Sequence, residues 1–550
     1  MNQTARSHLA RPLNDGISAF YRRTFMSTPC QQRECLLTKD EFGNVTHDEQ
    51  SQSNKAIANL IDNRLGSCRR SSQRLLSEER SLMTWSIAGK NRRRLRTREN
   101  NERGLTPSHQ AMTRQAEPVR IVIIDIDEPL PDLAPDERYE KAWVVFCHHG
   151  MPRRMTTLDL TIGVTEVQHL LQAMVAQVQE SKADLLDGPS LRAVALPSIS
   201  VVIPTIVSRV EELGHCIQSI EQVDYPDYEV ILVDNRRLLP ADDPLPSLVL
   251  DRPWLRVVRE ARPGVSAARN AGIANANGEV IAFTDDDVRV DTRWLRSIGL
   301  RMALNPQIDA LSGLILPTEL ETPAQIWFER YYGGFSGQRT FTPVTLELLQ
   351  KRKQPLHGSK VIVRNAKGIE TQRISILGIG GFGAGANMAF RKTVLDRIGG
   401  FNIHLGVGTP ARGGEDLFAM ISILWSGGEI GYEPGAFVHH RHRREYTELL
   451  TQLGGYGEGF TAMLTALVRN NPQHSLSIFS QLPEVLKWKT VQGIERIRGR
   501  KSDGPTEQWA RPLYPLELLI RECKAYFKGP AAYFRSRAMW RTISTEQESP

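Results

Sequence analysis

The sequence predicts an α/β fold: a doubly wound, mostly parallel sheet, with a small N-terminal α+β module before it and a helical C-terminal region after it. Three observations carry this. From residue 197, short apolar runs alternate with helical stretches, the pattern of a parallel sheet with helices on both faces. Ahead of it, "VRIVIIDID" and "KAWVVFCHHG" read as strands and are followed by one amphipathic stretch. Beyond 446, the chain is helical and basic.

The chain has 550 residues, 40% of them hydrophobic and 24% charged, which suits a soluble globular protein of two or three domains. Its net charge of +7 is unevenly placed. Residues 1–120 hold 21 Lys+Arg against 12 Asp+Glu, a net of +9, and the rest holds 48 against 50, a net of −2. The basic character belongs to residues 1–118, which are polar, show little apolar periodicity and include "KNRRRLRTRENNERG". Such a composition reads as a disordered extension. Its few aromatics give no reason to expect a nucleic-acid partner. The six cysteines, at 30, 35, 68, 147, 216 and 523, include no C-x-x-C pair; they predict a reducing, cytoplasmic setting rather than a disulfide framework. No uncharged apolar run reaches the ~18 residues of a membrane helix, and the N-terminus lacks the apolar core of a secretory signal.

Order is expected from 119. Residues 119–190 form the α+β module, with Val167, Leu170, Leu171, Met174, Val175 and Val178 at helical spacing on or near one face. In "CHHGMPRR", Cys147, His148 and His149 read as a strand end, with a metal site as the alternative. Residues 197–445 form the main domain. "SISVVIP" is a buried strand, "SRVEELGHCIQSIEQV" a helix with a capping-box pattern of Ser208 and Glu211, and "YEVILVDN" the next strand. "LRVVRE", a helix from Val265, the strand "EVIAFTDDD" and the helix "DTRWLRSIGLRMAL" follow. Residues 446–550 form the helical region.

In such sheets ligands sit beyond the carboxyl ends of the strands. Asp234 and the triplet Asp285, Asp286 and Asp287 fall at such ends. Three adjacent like charges need water, a cation or a partner to neutralise them. A solvated turn meets that need, and so does a metal seat: adjacent hard carboxylate oxygens suit Mg²⁺ or Mn²⁺. In "RPGVSAARNAGI", Pro263 and Gly264 turn the chain into a helix whose small residues let phosphate approach its N-terminus, with Arg262 and Arg269 as cationic donors; ordinary helix–sheet packing is the alternative. Glu415 and Asp416 in "GGEDLF" open another helix, where acidic residues are common for dipole reasons. A carboxylate there also suits proton abstraction from a hydroxyl. "YEPGAFVHHRHRR" gathers His439, His440 and His442 with Arg441, Arg443 and Arg444. Strand alternation puts His440 and His442 on one side; a histidine would complete a metal site, and the arginines suit phosphate.

Taken in order, "SVVIPT", "YEVILVDN", "RPGVSAARNAGI", "EVIAFTDDDV", "FGAGANMAFRK", "GGFN", "GGEDLF" and "FVHHRHR" resemble the motif series of family 2 glycosyltransferases with the GT-A fold, over residues 197–445. The resemblance implies a GT-A type, Rossmann-like, mostly parallel sheet. Pro204 and Thr205 then lie where the first strand meets the nucleotide. Asp234 resembles the aspartate that contacts the base, and Arg269 an arginine near the phosphates. Asp285 and Asp287 resemble the D-x-D pair that holds a nucleotide sugar through a divalent cation, with Asp286 on the same acidic edge. Asp416 resembles the catalytic base of the x-E-D motif, with Glu415 as the alternative. His440 best fits the metal-ligating histidine, in competition with His439 and His442. Asn387 and Met388 fall near the donor sugar. "DEPLP" and "CHHGMPRR" resemble a leader of some bacterial members. The Q-x-x-R-W motif of processive members does not occur, which implies a single transfer.

The expected activity is inverting transfer of a sugar from a nucleotide diphosphate sugar to an acceptor hydroxyl, dependent on Mn²⁺ or Mg²⁺. A sugar nucleotidyltransferase would share the sheet and acidic site, but the first strand runs into "PTIVSRVEE", not into a Gly-rich loop bearing Arg or Lys. A non-catalytic carbohydrate-binding protein has no use for the triplet, "GGED" and the histidines together. The acceptor is expected to be a glycan, a lipid-linked compound or a small molecule. "LYPLELLIRECKAYFKGPAAYFRSRAMWR" fits a helix packed on the main domain, or one lying on an anionic membrane surface, which would place the protein at the inner face of the membrane.

Overall fold

The computed structural model describes residues 117–180, 194–335, 339–349, 358–498 and 514–548; the disordered extension expected over 1–118 lies outside these except for its last two residues. Strands β1 (Val119–Asp125), β2 (Lys141–His148) and β3 (Met151–Asp159) form a small sheet, β1 parallel and β3 antiparallel to β2. Helix α1 (Val164–Glu180) covers it. Val167, Leu171 and Val178 close a core with Val144, Phe146 and Leu158, while Leu170, at the edge of that helical stripe, is exposed. The sheet is tied to the rest of the chain: Val119 N–H donates to Leu320 O at 2.9 Å, and Trp143 packs with Leu320 and Ile326.

The main sheet contains β4 (Ile199–Thr205), β5 (Tyr228–Asp234), β6 (Leu255–Arg259), β7 (Val280–Thr284), β8 (Val288–Val290), β9 (Ile308–Pro317), β10 (Val344–Leu348), β11 (Lys360–Asn365), β12 (Glu370–Ser375), β13 (Asn387–Arg391) and β14 (Glu429–His440). Between them run α2 (Val210–Glu221), α3 (Leu245–Val249), α4 (Val265–Asn275), α5 (Trp294–Leu304), α6 (Pro323–Trp327), α7 (Lys392–Ile398) and α8 (Glu415–Trp425). The strand order is β12-β11-β10-β14-β9-β13-β7-β4-β5-β6, with β8 paired to β14.

The expected parallel sheet is the β7-β4-β5-β6 part. The whole is mixed, because β13 runs antiparallel between β7 and β9 and β10–β12 continue antiparallel beyond β14. β4 is buried along its length because both faces are covered. Val201 and Ile203 share a core with Leu213, Ile217 and Ile298, and Val202 shares the other with Ala268. The expected capping box does not form. Arg209 holds the N-cap of α2, without a side-chain cap, which leaves Ser208 one residue too early.

Strand direction positions the site. β4, β5 and β7 are parallel; β13 reverses, and β9 and β14 reverse again. The carboxyl ends at Thr205, Asp234, Thr284, Pro317 and His440 therefore share one edge. Helices α9 (Tyr446–Asn470), α10 (Ser475–Ile497), α11 (Leu516–Tyr526) and α12 (Gly529–Glu548) follow. α9 sends Ala462, Met463, Ala466 and Leu467 into the main core and carries the other helices; Thr461 Oγ1, for example, donates to Tyr526 O at 2.8 Å.

Candidate active site

The turn after β7 spreads the three aspartates apart. Asp286 turns toward β4, where its Oδ2 accepts from Thr205 Oγ1 at 2.6 Å. Burial, reinforced by its two like-charged neighbours, pushes its carboxyl up to about 6. Asp285 and Asp287 turn the other way, toward the end of β14. Their carboxylates and the His440 imidazole each bring one ligand atom within 4.8 Å of the others, with His440 Nε2 3.4 Å from Asp287 Oδ1.

The histidine is prepared for such a role. Its Nδ1 lies 3.0 Å from the Arg441 carbonyl, to which only a protonated Nδ1 can donate. In the neutral ring, Nε2 then carries the lone pair that faces Asp287. Phe335 stacks on the ring at 4.1 Å and holds its plane. Two carboxylates and one oriented imidazole fit a divalent cation such as Mn²⁺ or Mg²⁺. Burial alone would raise the Asp287 carboxyl, but His440, Arg443 and Arg209 outweigh it and hold it below the usual range. The two arginines stand 3.3 and 3.1 Å from its Oδ2.

A second acidic group sits at the start of α8. Glu415 is buried and Asp416 half-buried. Burial and the Asp416 charge push Glu415 up to about 7, against the pull of Arg269. Asp416 Oδ2 accepts from Gly385 N–H at 2.9 Å, and its Oδ1 from Leu417 N–H at 2.8 Å. Arg269, on α4, joins the two acidic groups: it donates to Glu415 at 2.8 Å, to Asp285 at 3.2 Å and to Gly385 O at 3.3 Å. Glycine at 385 leaves room for this guanidinium, since a Cβ there would stand 2.8 Å from Arg269 Nη2 and displace it.

Not every expected residue reaches this group. Asn387 is turned into the core. Its Nδ2 donates to Leu314 O and Ala436 O, and its Oδ1 accepts from Trp294 Nε1; the side chain pins β13 to its neighbours and has no polar group left for a sugar. Met388 is likewise core. His442 bonds Glu329 Oε2 at 2.9 Å, where Arg339 also pairs, in a buried cluster of its own. His439 packs edge-on against Phe437, on the other side of the strand from His440. Pro204 and Asp234 are at the shared edge. Asp234 is held by Arg236 and Arg259, each at 2.8 Å; burial alone would raise its carboxyl, and the arginines keep it low. Arg262 pairs with Glu260 at 2.6 Å.

Arg209, Arg236, Arg259 and Gly385 had no role in the sequence reading. Arg236 meets Asp234 and Asp243 within its own loop, whereas only the fold reveals that Arg209 meets Asp287 and Arg259 meets Asp234. Arg443 was visible as one of three candidates.

Residues 200–399 match the family described as Glycosyl transferase family 2. An N-acetylglucosaminyltransferase of Bradyrhizobium sp. is 31% identical over 145 residues, 24% of this chain and 93% of that protein. Glycosyltransferase AglE of Haloferax volcanii is 30% identical over 130 residues, 22% of this chain and 39% of that one. A putative polypeptide N-acetylgalactosaminyltransferase 13 of Drosophila melanogaster is 27% identical over 188 residues, 34% and 29% of the two chains. The chain thus spans well under half the length of the last two. Among solved structures, mannosyltransferase PcManGT from Pyrobaculum calidifontis, in complex with GDP-Man and Mn²⁺, aligns at TM-score 0.35 and 16% identity over 69% of this chain and 95% of that chain. GalNAc-T7 with UDP, GalNAc and Mn²⁺ aligns at TM-score 0.35 and 16% identity over 54% and 57%.

Proposed function

The chain belongs to glycosyl transferase family 2, and from this premise we propose that it moves one sugar from a nucleotide diphosphate sugar to an acceptor hydroxyl with inversion at the anomeric carbon. The observation that carries this is the joining of two acidic groups at one sheet edge by Arg269. Asp285, Asp287 and His440 form the donor end; Asp416 forms the acceptor end.

Asp416 is the base in this reading. Its carboxylate is half-buried while Glu415 is buried against Arg269, so Glu415 acts by holding Arg269 in place. Asp416 takes the proton of the acceptor hydroxyl. The oxygen forms a bond to the anomeric carbon from the face opposite the diphosphate. The bond from that carbon to the diphosphate oxygen breaks, and its electron pair leaves with the nucleoside diphosphate. A divalent cation on Asp285, Asp287 and His440 would neutralise charge on that leaving group. Arg209 and Arg443 stand ready for the phosphates. Asp234 and Thr205, at neighbouring strand ends, line the nucleotide side.

The acceptor side is assigned to a lipid surface. The outer face of α10 carries Leu476, Phe479, Leu486, Ile494 and Ile497 at three- and four-residue steps or their multiples, all exposed, and Phe527 at the end of α11 is 87% exposed. Lys487, Arg498, Lys524 and Lys528 are exposed beside them in sequence. An apolar stripe with basic neighbours fits an anionic membrane interface, at the inner face of a membrane. No helix among the described residues is long and apolar enough to cross one.

Hydrolysis of UDP-, GDP- and dTDP-sugars, with Mn²⁺, Mg²⁺ or chelator, tests the reading. Metal-dependent release of free sugar from one donor class is expected. Pyrophosphate release from a nucleoside triphosphate would mean a nucleotidyltransferase, and sugar binding with neither reaction a binding protein. Co-sedimentation of the full chain with phosphatidylglycerol vesicles, lost on Phe479→Glu/Leu486→Glu, tests the membrane assignment.

A further inference from the structure

Asp127, His148 and His149 lie in the small N-terminal sheet, where the proposed transfer reaction has no use for them. Asp127 is in the turn after β1, and the histidines end β2 and begin the turn into β3. His148 Nε2 is 3.4 Å from Asp127 Oδ1, and His149 Nδ1 is 2.9 Å from Asp127 Oδ2. One ligand atom from each lies within 4.8 Å of the other two.

We propose that these three side chains form a second divalent-metal site, for a borderline ion of the Zn²⁺ class, distinct from the donor site. The donor set separates the two sites chemically. Two imidazoles and one carboxylate favour Zn²⁺ over Mg²⁺, whereas two carboxylates and one imidazole suit harder ions. The spacing agrees. Zn–N and Zn–O bonds of about 2.0–2.1 Å at tetrahedral angles separate ligand atoms by about 3.4 Å, the distance found between His148 and Asp127.

The turns are braced to hold this arrangement. Asp125 accepts from Asp127 N–H at 3.2 Å and also from Gly150 N–H, so one carboxylate fixes both turns from behind. His149 N–H donates to Asp127 Oδ2 at 2.7 Å. His149 takes φ +51°, in the left-handed region where, glycine aside, asparagine, aspartate and histidine are the residues enriched; it turns the second imidazole back beside the first, with ring centroids 4.2 Å apart. The three side chains are 25–47% exposed. The site is therefore open to solvent, and water would complete the coordination. Bound metal would clip the β1 turn to the β2–β3 turn.

The full chain carrying Asp287→Ala and His440→Ala, which removes the donor site, is titrated with Zn²⁺ by calorimetry. One equivalent is expected to bind, and to bind at least ~10-fold more weakly after His148→Ala, after Asp127→Asn or after His149→Asn, the last chosen because asparagine tolerates the backbone conformation. Circular dichroism confirms folding of each variant. In a chain with an intact donor site, the same three substitutions should leave Mn²⁺-dependent donor hydrolysis unchanged. No Zn²⁺ binding in the donor-site variant, or binding that survives all three substitutions, would show a histidine–aspartate ion pair only and overturn the proposal.

Discussion

Arg269 and Glu415 form a buried ion pair, Nη1 to Oε1 at 2.8 Å, and the other arm of the same guanidinium reaches Asp285 at 3.2 Å. One residue on α4 thus fixes the distance between the proposed donor and acceptor ends. Arg269→Lys keeps the charge but loses the planar fork that serves three oxygens at once. It is expected to lower metal-dependent donor hydrolysis by about ten-fold or more in a protein that remains folded. Arg269→Ala leaves Glu415 buried beside Asp416 without its partner, at a cost of about 3–5 kcal/mol, read as a fall in Tm. A Lys variant with the full rate would remove Arg269 from the account.

His440 and His442 are two residues apart and are expected to fail differently. His440→Ala removes the only imidazole in the donor-side group and should weaken Mn²⁺ binding by about 10-fold or more, with little change in Tm. His442→Ala breaks the buried Glu329–His442–Arg339 cluster and should lower Tm while Mn²⁺ affinity stays within about two-fold. Manganese titration followed by electron paramagnetic resonance, beside thermal melts, separates them.

Helix α9 approaches, through glycine, the loop that leads into α8 and the proposed base. A Cβ on Gly459 would stand 2.8–3.1 Å from Gly413 backbone atoms, so Gly459→Ala has to push that loop away. Overpacking of this kind costs about 1–3 kcal/mol. The expected result is a lower Tm with a disproportionate loss of kcat, because Gly413 is two residues from Glu415 and three from Asp416. Gly399→Ala, where no atom lies within 4 Å but φ is +75°, is the control for backbone strain without loop displacement.

Glu433 gives the pH dependence of stability a definite sign. Burial pushes its carboxyl from 4.5 up to about 7, against the pull of Arg301 at 4.0 Å. The folded state therefore holds a proton that the unfolded state has released between these values. This contribution to stability is complete below about pH 4.5 and is lost as pH rises through about 7. Glu433→Gln should flatten the decline in Tm between pH 5 and 8, in proportion to what Glu433 supplies. An unchanged slope would assign that decline to other groups.

The fold was legible where apolar periodicity is set by burial. "SISVVIP" and "YEVILVD" read as strands because both faces of β4 and β5 are covered, and the acidic strand ends followed from them. The antiparallel part was not legible, because nothing local in "NMAFR" says that β13 reverses between β7 and β9. That reversal decides the fate of Asn387: it is the first residue of β13, yet Trp294, Leu314 and Ala436 draw its side chain into the core. At the site, the D-x-D spacing put Asp285 and Asp287 on one side, and alternation separated His439 from His440. Arg236 is two residues from Asp234, but Arg259 on Asp234 and Arg209 and Arg443 on Asp287 come from distant segments, and no spacing announces them. His148 and His149 read as an ordinary strand end because their partner, Asp127, lies 21 residues before the first of them and meets them only through the parallel pairing of β1 with β2.

The central claim is that Asp416 takes the acceptor's proton while the donor is held elsewhere. Asp416→Asn preserves shape and removes the base. Two quantities on this variant decide the claim: turnover of the donor found in the nucleotide-sugar screen, and the Mn²⁺-dependent dissociation constant of that donor's nucleoside diphosphate. The account predicts a loss of about 10²–10⁴-fold in turnover with nucleotide affinity unchanged. Near-normal turnover in Asp416→Asn, with nucleotide still bound, would contradict it.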